Sequence, residues 1–132
     1  MRPLDHAPVR LVKTVQDDRL GGTVDWMALA AEQARKSLHE GGIPIGAVLV
    51  CDNKLLGQGY NRRVQKGSAI LHAEMGALEH AGRLPAGIYC RCTLYATPSP
   101  CPMCAGAILL YKTVKSRICC KFDSVNPFFA SC

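Results

Sequence analysis

Three side chains that bind transition metals lie in two short motifs, and a carboxylate accompanies them. His72 and Glu74 are separated by one residue, and Cys101 and Cys104 form a Cys-x-x-Cys pair further along the chain. One imidazole and two thiolates are three ligands for Zn²⁺, and they leave a fourth tetrahedral position open for water, as in catalytic zinc sites. Two thiolates cancel the charge of the metal, so its water should be acidified less strongly than at a site of three neutral histidines. Glu74 is therefore predicted to be the base that accepts a proton there.

The spacing of these residues favours the starts of two helices. In mid-helix, residues i and i+2 point about 200° apart, so His72 and Glu74 can converge on one metal only from a first helical turn. Pro102 suits the first helical position because its missing N–H is not needed there, and Cys101 is then the predicted N-cap. The unpaired N–H groups and positive dipole ends of two helices would favour thiolate over thiol.

Other interpretations of the same residues remain open. A single Cys-x-x-Cys motif is also typical of a redox pair, of half a structural zinc site or of two core cysteines, and a histidine at a helix start is often a capping residue. A structural site of four cysteines would add Cys90 and Cys92 to the pair, but their Cys-x-Cys spacing fits such sites poorly. It would also leave the histidine and the glutamate unexplained. The catalytic zinc site is the preferred interpretation.

Length and composition favour one globular domain. The chain has 132 residues, of which 48% are hydrophobic. No apolar run approaches the roughly 18 residues of a membrane helix, and the first residues lack the apolar core of a secretory signal. The cytoplasm is the expected compartment, with the nucleus as an alternative. The eight cysteines are expected to be reduced, because Cys51, Cys119 and Cys120 lie in apolar stretches where free thiols pack as small hydrophobes.

The formal net charge of +6 raises a nucleic-acid hypothesis, because basic patches bind phosphates. The basic residues, however, form no long run and are not interleaved with aromatic residues. They make two short clusters: Arg62, Arg63 and Lys66, and Lys112, Lys115, Arg117 and Lys121. A solvated surface is the preferred interpretation of both, so a nucleic-acid partner is not expected.

Helical and extended patterns alternate along the chain. Residues 1–22 are predicted to be a loose leader, followed by one domain over residues 23–132. Apolar periodicity, a β-branched run and glycine stops predict the order α-β-β-α-β-α-β, with helices over 23–39, 71–82 and 101–111 and strands over 45–51, 55–60, 93–97 and 117–120. The last two strands, joined through a helix, are expected to be parallel, which gives a mixed sheet with helices packed on it.

Several of these motifs together resemble a known family. The matching stretches are residues 41–46, 65–69, 71–74, 82–84, 93–97 and 99–101. They lie within residues 40–111, over half of the chain, which closely resembles fungal-type cytosine deaminases of the cytidine deaminase-like superfamily. Residues 65–68 and Ser99 favour that family over the guanine and tRNA adenosine deaminases that share the metal motif. The resemblance implies a three-layer α/β/α fold with a mixed sheet.

The resemblance also implies a reaction and assigns residues to it. It implies the zinc-dependent hydrolytic deamination of free cytosine to uracil and ammonia, a step of pyrimidine salvage. By the same resemblance the zinc ligands are His72, Cys101 and Cys104, and Glu74 shuttles protons to the ring nitrogen and to the leaving ammonia. Asn61 would hydrogen-bond the pyrimidine, while Ile45 and Ser99 line the pocket. Asn61 also suits a turn after the second strand.

The C-terminal end departs from the family pattern. Family members continue past the fourth strand with elements that close over the base, whereas this chain stops at Cys132. The fold is therefore expected to be shortened at the C-terminus, with zinc bound but cytosine turned over poorly. Three hypotheses stay open: a small-base deaminase, a deaminase of a nucleotide or nucleoside in RNA, and a zinc-stabilised relative of low activity.

A homodimer is the expected assembly. Relatives in the family are homodimers, and the helix over 101–111 offers more apolar surface than one sheet face needs, at Ile108, Leu109 and Tyr111.

Overall fold

The computed structural model describes residues 24–111 and the backbone of residues 115–118. In these ranges the helices are α1 Trp26–His39, α2 Arg63–Lys66, α3 Ala73–Ala81, α4 Ala86–Tyr89 and α5 Pro102–Leu110, and the strands are β1 Gly46–Cys51, β2 Lys54–Tyr60, β3 Cys92–Ala96 and β4 Lys115–Ile118. The leader predicted over residues 1–22, the thiols of Cys119 and Cys120, and the C-terminal segment lie outside the described residues. No described helix has the length and apolar character to span a membrane.

The first helix ends at His39, as its sequence predicts, but begins at Trp26, three residues after the predicted start. Asp25 caps it, with its side chain accepting a hydrogen bond from the Ala28 N–H at 3.0 Å, which satisfies one of the free donors of the first turn. Ala30 and Ala34 lie on its buried face. Just after the helix, Gly41 adopts a φ of 82°, a left-handed conformation that glycine accepts without steric penalty.

The sheet is mixed, as the sequence predicts. Its strand order is β2-β1-β3-β4; β1 runs antiparallel to β2 and to β3, and β4 runs parallel to β3. Asp52 and Asn53 connect the β1–β2 hairpin with φ values of 48° and 59°, the left-handed pair that a tight hairpin turn requires. All six residues of β1 are buried, because this central strand is covered on both faces.

Helices cover both faces of this sheet. On one face Leu49 and Leu94 pack with Ala77 of α3 and Ile108 of α5. On the opposite face Val48 and Val50 pack with residues of α1: Trp26, Leu29 and Ala30. Alternate residues of β1 thus enter two separate cores, which is the period-two pattern of a strand between layers. The three-layer arrangement expected from the sequence is confirmed.

Two glycines of β2 let α3 approach the sheet closely. A Cβ atom added at Gly59 would lie against the Ala77 nitrogen and the Ala73 oxygen, and one at Gly57 would lie against the Ala77 oxygen. These contacts would involve helix backbone, which cannot rotate away. Close approach is a common reason for glycine inside a strand. This close approach sets the distance between α3 and the sheet, and therefore the position of the residues in the first turn of α3.

Several details differ from the expectations. The strand β4 begins at Lys115, two residues before its predicted start. The loop predicted over residues 61–68 contains the one-turn helix α2, which ends at Gly67 with a φ of 56°. A second one-turn helix, α4, precedes β3; a single turn is too short to show apolar periodicity. Ile108 is 8% exposed and packs in the core, whereas Leu109 and Leu110 are 77% and 72% exposed. The exposed apolar surface of α5 therefore includes Leu110 and lacks Ile108, which was predicted to be part of it.

Candidate metal centre

Three strand ends meet at one edge of the sheet. Gly46 opens β1 and pairs with Tyr60, the last residue of β2, while the neighbouring Ala47 pairs with Ala96, the last residue of β3. The residues just outside the strands are tied together by backbone hydrogen bonds. The Asn61 N–H donates to the Ile45 oxygen at 2.9 Å, and the Thr97 N–H donates to the Gly46 oxygen at 3.1 Å. This edge therefore gathers two of the predicted substrate residues, Ile45 and Asn61.

Two helices begin near this edge with a candidate metal ligand at the N-cap. His72 precedes α3 with φ −70° and ψ 159°, and Cys101 precedes α5 with φ −69° and ψ 169°. Neither side chain caps its own helix, and Pro102 holds the first position of α5. The backbone bond from the Arg62 N–H to the Leu71 oxygen, 2.9 Å long, ties the start of α3 to the end of β2. The predicted N-cap at Cys101 is confirmed, and α3 begins at Ala73, within two residues of its predicted start.

The side chains of His72, Cys101 and Cys104 converge. Their ligand atoms all lie within 4.8 Å of one another, and the Cys101 Sγ lies 3.5 Å from the His72 Nδ1. Tetrahedral zinc bonded to sulfur at about 2.3 Å and to nitrogen at about 2.0 Å separates neighbouring ligand atoms by roughly 3.5 to 3.8 Å. The Cys101 Sγ and the His72 Nδ1 therefore have the separation of two zinc ligands, and the Cys104 Sγ lies within 4.8 Å of both.

Glu74 lies directly beside this group. It is the second residue of α3, is 3% exposed, and its Oε2 accepts a hydrogen bond from the Cys104 Sγ at 3.5 Å. A carboxylate buried in the first turn of a helix is stabilised by the free N–H groups and the positive end of the dipole. The arrangement places one buried carboxylate next to the three candidate ligand side chains.

The Cys104 thiol indicates that this group of side chains needs a compensating positive charge. Burial raises the pKa of Cys104 well above its ordinary value, and the negative charge of Glu74 raises it further. The protein alone therefore favours the protonated thiol at this position. A divalent cation held by the three ligand side chains would supply the missing positive charge and stabilise the thiolate. The donor set and its electrostatics both suit a cation.

Asn61 is buried and makes several hydrogen bonds. It is 2% exposed, and its Oδ1 accepts a hydrogen bond from the Arg63 N–H at 3.1 Å. This local bond two residues onward is the turn role that the sequence also allowed. It occupies the amide oxygen and leaves the Nδ2 group as the donor that can face a ligand. Ile45 is half-buried and packs against the core, and Ser99 is an exposed residue of the loop between β3 and α5.

The alternative of a structural site with four cysteines is not supported. Cys92 is the first residue of β3, at the strand end away from Ala96, where it pairs with Cys51. Its Sγ donates to the Ile88 oxygen at 3.2 Å. Among the described residues, the metal-binding group contains the histidine and the Cys-x-x-Cys pair without Cys90 or Cys92. The five described cysteines are free thiols, as expected.

Sequence reasoning missed three residues that support this region. The Thr97 Oγ1 accepts a hydrogen bond from the Gly46 N–H at 3.2 Å. The Ser37 Oγ donates to the Asn61 backbone oxygen, and the Gln65 Nε2 donates to the Ser37 Oγ. One signal was available: Ser37 follows Ala34 by three residues on the buried face of α1, where the periodic pattern calls for an apolar residue. Nothing in the linear pattern indicates its partner.

Comparison with known proteins places the chain in a family. Residues 23–120 match the family model of the cytidine and deoxycytidylate deaminase zinc-binding region. A cytosine deaminase of Candida albicans is 57% identical over 96 residues, which are 72% of this chain and 61% of that protein. A tRNA-specific adenosine deaminase of Bacillus subtilis is 38% identical over 91 residues, 68% of this chain and 56% of that protein. The chain thus spans roughly three fifths of the length of these relatives.

Solved structures of deaminases have the same fold. One, from work on A-to-I editing by tRNA deaminases at the wobble position, has a TM-score of 0.63 and 32% identity and covers 70% of this chain and 72% of its own. A guanine deaminase from Bacillus subtilis has a TM-score of 0.63 and 31% identity, covering 70% and 60%. The expected cytidine deaminase-like fold and the resemblance to cytosine deaminases are confirmed. The chain belongs to the cytidine and deoxycytidylate deaminase family that the zinc-binding region defines.

Proposed function

We propose that this chain binds zinc and catalyses the hydrolytic deamination of cytosine to uracil and ammonia. The observation that carries the proposal is the buried carboxylate of Glu74, in contact with a group of one imidazole and two thiols at zinc-ligand spacing. The 57% identity to the Candida albicans cytosine deaminase supports cytosine as the substrate. In this proposal the zinc ligands are His72 Nδ1, Cys101 Sγ and Cys104 Sγ, and zinc acts as a Lewis acid that lowers the pKa of water.

Glu74 would carry protons in both halves of the reaction. Its carboxylate accepts a proton from the attacking water while the water oxygen bonds to the ring carbon that bears the amino group. Glu74 passes this proton to the ring nitrogen. It then transfers the proton of the new hydroxyl group to the amino group, so that the carbon–nitrogen bond breaks, the carbonyl of uracil forms and ammonia leaves. Water and cytosine thus yield uracil and ammonia. The buried position of Glu74 keeps bulk water from competing for these protons.

The residues at the sheet edge would hold the base. Asn61 presents its Nδ2 group as a donor, which can bond an acceptor on the edge of the pyrimidine, because its Oδ1 already accepts from the Arg63 N–H. Ile45 would contribute an apolar contact with the flat ring, and Ser99 a polar one. Reactants held in a fixed orientation react faster than freely diffusing ones, and this positioning is a large part of catalysis.

A base within RNA, or guanine, is the second candidate substrate. Its support is similarity: tRNA-specific adenosine deaminases of Streptococcus pyogenes are 42% identical over 84 residues, and a guanine deaminase has the same fold. One member of the basic cluster formed by Arg62, Arg63 and Lys66 already contacts a side chain of this chain. The Arg62 guanidinium of this cluster lies 5.8 Å from the centre of the Tyr60 ring. Lys36, which is outside the cluster, places its Nζ 4.9 Å from the same ring, and both are cation–π arrangements. Free cytosine therefore remains the preferred substrate.

The substrate can be identified by testing a panel of candidate bases and nucleic acids. Zinc-loaded chain would be incubated with cytosine, cytidine, guanine and an adenosine-bearing tRNA anticodon stem, and ammonia or inosine would be measured at two salt concentrations. The proposal expects turnover of cytosine that is insensitive to salt. Turnover confined to the RNA and lost as salt rises would establish the second candidate instead.

The homodimer, a role in pyrimidine salvage and the cytoplasmic location remain predictions.

A further inference from the structure

A buried serine of α1 is bonded to the residue proposed to orient the base. Ser37 is 0% exposed, and its Oγ donates to the Asn61 backbone oxygen at 2.6 Å. Serine inside a helix commonly bonds the carbonyl one turn earlier on the same helix. Here the hydroxyl instead reaches across to the end of β2. It therefore joins α1 to the edge of the sheet where Asn61 lies.

Gln65 determines the direction of that hydroxyl. Its Nε2 lies 3.2 Å from the Ser37 Oγ, and it also contacts the Ser37 oxygen at 3.5 Å and the Glu40 Oε2 at 3.4 Å. An amide nitrogen only donates, and both oxygens only accept, so the orientation of the Gln65 amide is set. The Ser37 Oγ accepts from Gln65, and its single proton is left to point at the Asn61 oxygen.

Three bonds together restrain the Asn61 residue. Its N–H donates to the Ile45 oxygen at 2.9 Å, its Oδ1 accepts from the Arg63 N–H at 3.1 Å, and its carbonyl accepts from Ser37. The first two bonds involve neighbours at the same sheet edge. The bond from Ser37 is the one that comes from the helix layer. Without it, a buried carbonyl would lose its hydrogen-bond donor, and the peptide plane would be free to tilt.

We propose that Ser37 is a positioning residue: its hydroxyl, oriented by Gln65, fixes the Asn61 peptide and so aims the Asn61 amide at the substrate. The proposal rests on the role of Asn61 in the proposed function. A purely structural role is the competing explanation, in which the bond merely attaches α1 to the sheet. The two explanations differ in one measurable respect. A positioning residue acts through Asn61, so its effect on catalysis disappears once the Asn61 side chain is removed.

The kinetic test is a double-mutant cycle on cytosine deamination by the full zinc-loaded chain. Ser37→Ala is expected to lower kcat/KM about tenfold, with Ser37→Cys, a weaker donor of similar size, between it and the original chain. In an Asn61→Ala background the same changes should alter kcat/KM less than about twofold. Equal losses in both backgrounds would overturn the proposal.

The matched control is Ala34→Gly, one turn earlier on the buried face of α1. Glycine weakens a helix interior by about 1 kcal/mol relative to alanine, and the change leaves the Ser37, Gln65 and Asn61 side chains intact. Its melting temperature should fall, while kcat/KM changes less than about twofold in either background. A tenfold loss of kcat/KM in Ala34→Gly would show that any weakening of α1 reduces activity, and the positioning role would be rejected.

A second readout does not depend on activity. In the assigned ¹⁵N spectrum of the free chain, Ser37→Ala should shift the Asn61 side-chain amide signals and speed hydrogen exchange at the Arg63 amide, whereas Ala34→Gly should leave both unchanged. Unchanged Asn61 signals in Ser37→Ala would refute the positioning role, even if the chain proved inactive on cytosine. Inactivity of the original chain together with shifted Asn61 signals would refute the proposed function alone.

Discussion

Cys104 and Glu74 illustrate how the site combines groups that are unfavourable in isolation. A buried thiol and a buried carboxylate lie 3.5 Å apart, and the negative charge of Glu74 adds to burial in raising the pKa of Cys104. Burial of this kind is tolerated when the charges are compensated by hydrogen bonds or by a cation. Two helix starts supply part of that compensation through free N–H groups. A zinc ion would supply the rest.

Removal of the metal should therefore destabilise the fold as well as the site. A ligand present at about 1,000 times its dissociation constant stabilises the folded state by about 4 kcal/mol, so a chelator should lower the melting temperature of the zinc-loaded chain by several degrees. Cys101→Ala should lower it similarly and become insensitive to chelator. Cys90→Ala, which changes a half-buried thiol outside the ligand group, is the control and should stay chelator-sensitive. Equal melting temperatures with and without chelator would contradict a structural contribution of zinc.

The buried thiol of Cys92 predicts a loss of stability in alkali. Burial, followed by the charge of Cys51, raises the pKa of Cys92 from 9.0 to about 12. Between these pH values the unfolded chain loses the proton while the folded chain keeps it, so rising pH favours unfolding. In urea titrations the free energy of unfolding should fall between pH 9 and 11, less steeply in Cys92→Ala. If the free energy of unfolding fell equally steeply with pH in both proteins, Cys92 would not contribute to the loss of stability.

At the scale of elements, the packing of α3 on β2 sets the position of the site. Gly59→Ala would push a methyl group into the backbone of α3, so we expect a loss of several kcal/mol and weaker zinc binding, because His72 and Glu74 move with the helix. Gly106→Ala is the matched control: it lies in α5, where a Cβ meets nothing within 4 Å, and should stabilise the chain by about 0.5 to 1 kcal/mol. Measurements of zinc affinity and of unfolding in urea test both variants. Unchanged zinc affinity in Gly59→Ala would contradict this link.

Elements with strong local signals could be predicted from the sequence, and those fixed by contacts could not. Helix α1 has apolar periodicity and a glycine stop, and the start of α5 has a proline at its first position, so both were located to within a few residues. The one-turn helices α2 and α4 carry no period to detect. The bond from Ser37 to Asn61 joins residues that are distant in sequence, and only the packing of α1 on the sheet brings them together.

At the scale of the whole molecule, the ligand group could be predicted because its chemistry is concentrated in four side chains. Histidine, glutamate and two cysteines at this spacing have few joint uses, and the three ligand side chains do converge. The layer order followed from connectivity, since parallel strands joined by a helix require a crossover on one face. The exposed surface was predicted less well. Ile108, expected at an interface, is buried in the core.

The predicted homodimer can be tested at the exposed end of α5. Leu109 and Leu110 are 77% and 72% exposed, and adjacent exposed leucines are typical of a surface that another chain covers. Leu109→Lys should therefore shift the mass measured by light scattering from twice the chain mass toward one chain. Leu38→Lys changes a leucine that is 60% exposed on α1 and should leave the dimer intact. A monomer for the original chain at high concentration would contradict the prediction.

The most direct test of the account compares the original chain with Glu74→Gln, measuring zinc content and cytosine turnover on the same samples. Glutamine keeps the shape of the side chain but cannot accept the proton. The account predicts one zinc per chain in both proteins and a kcat about 10² to 10⁴ times lower in Glu74→Gln, the range typical of a lost general acid–base residue. Undiminished turnover in zinc-loaded Glu74→Gln would contradict the proposed role of Glu74.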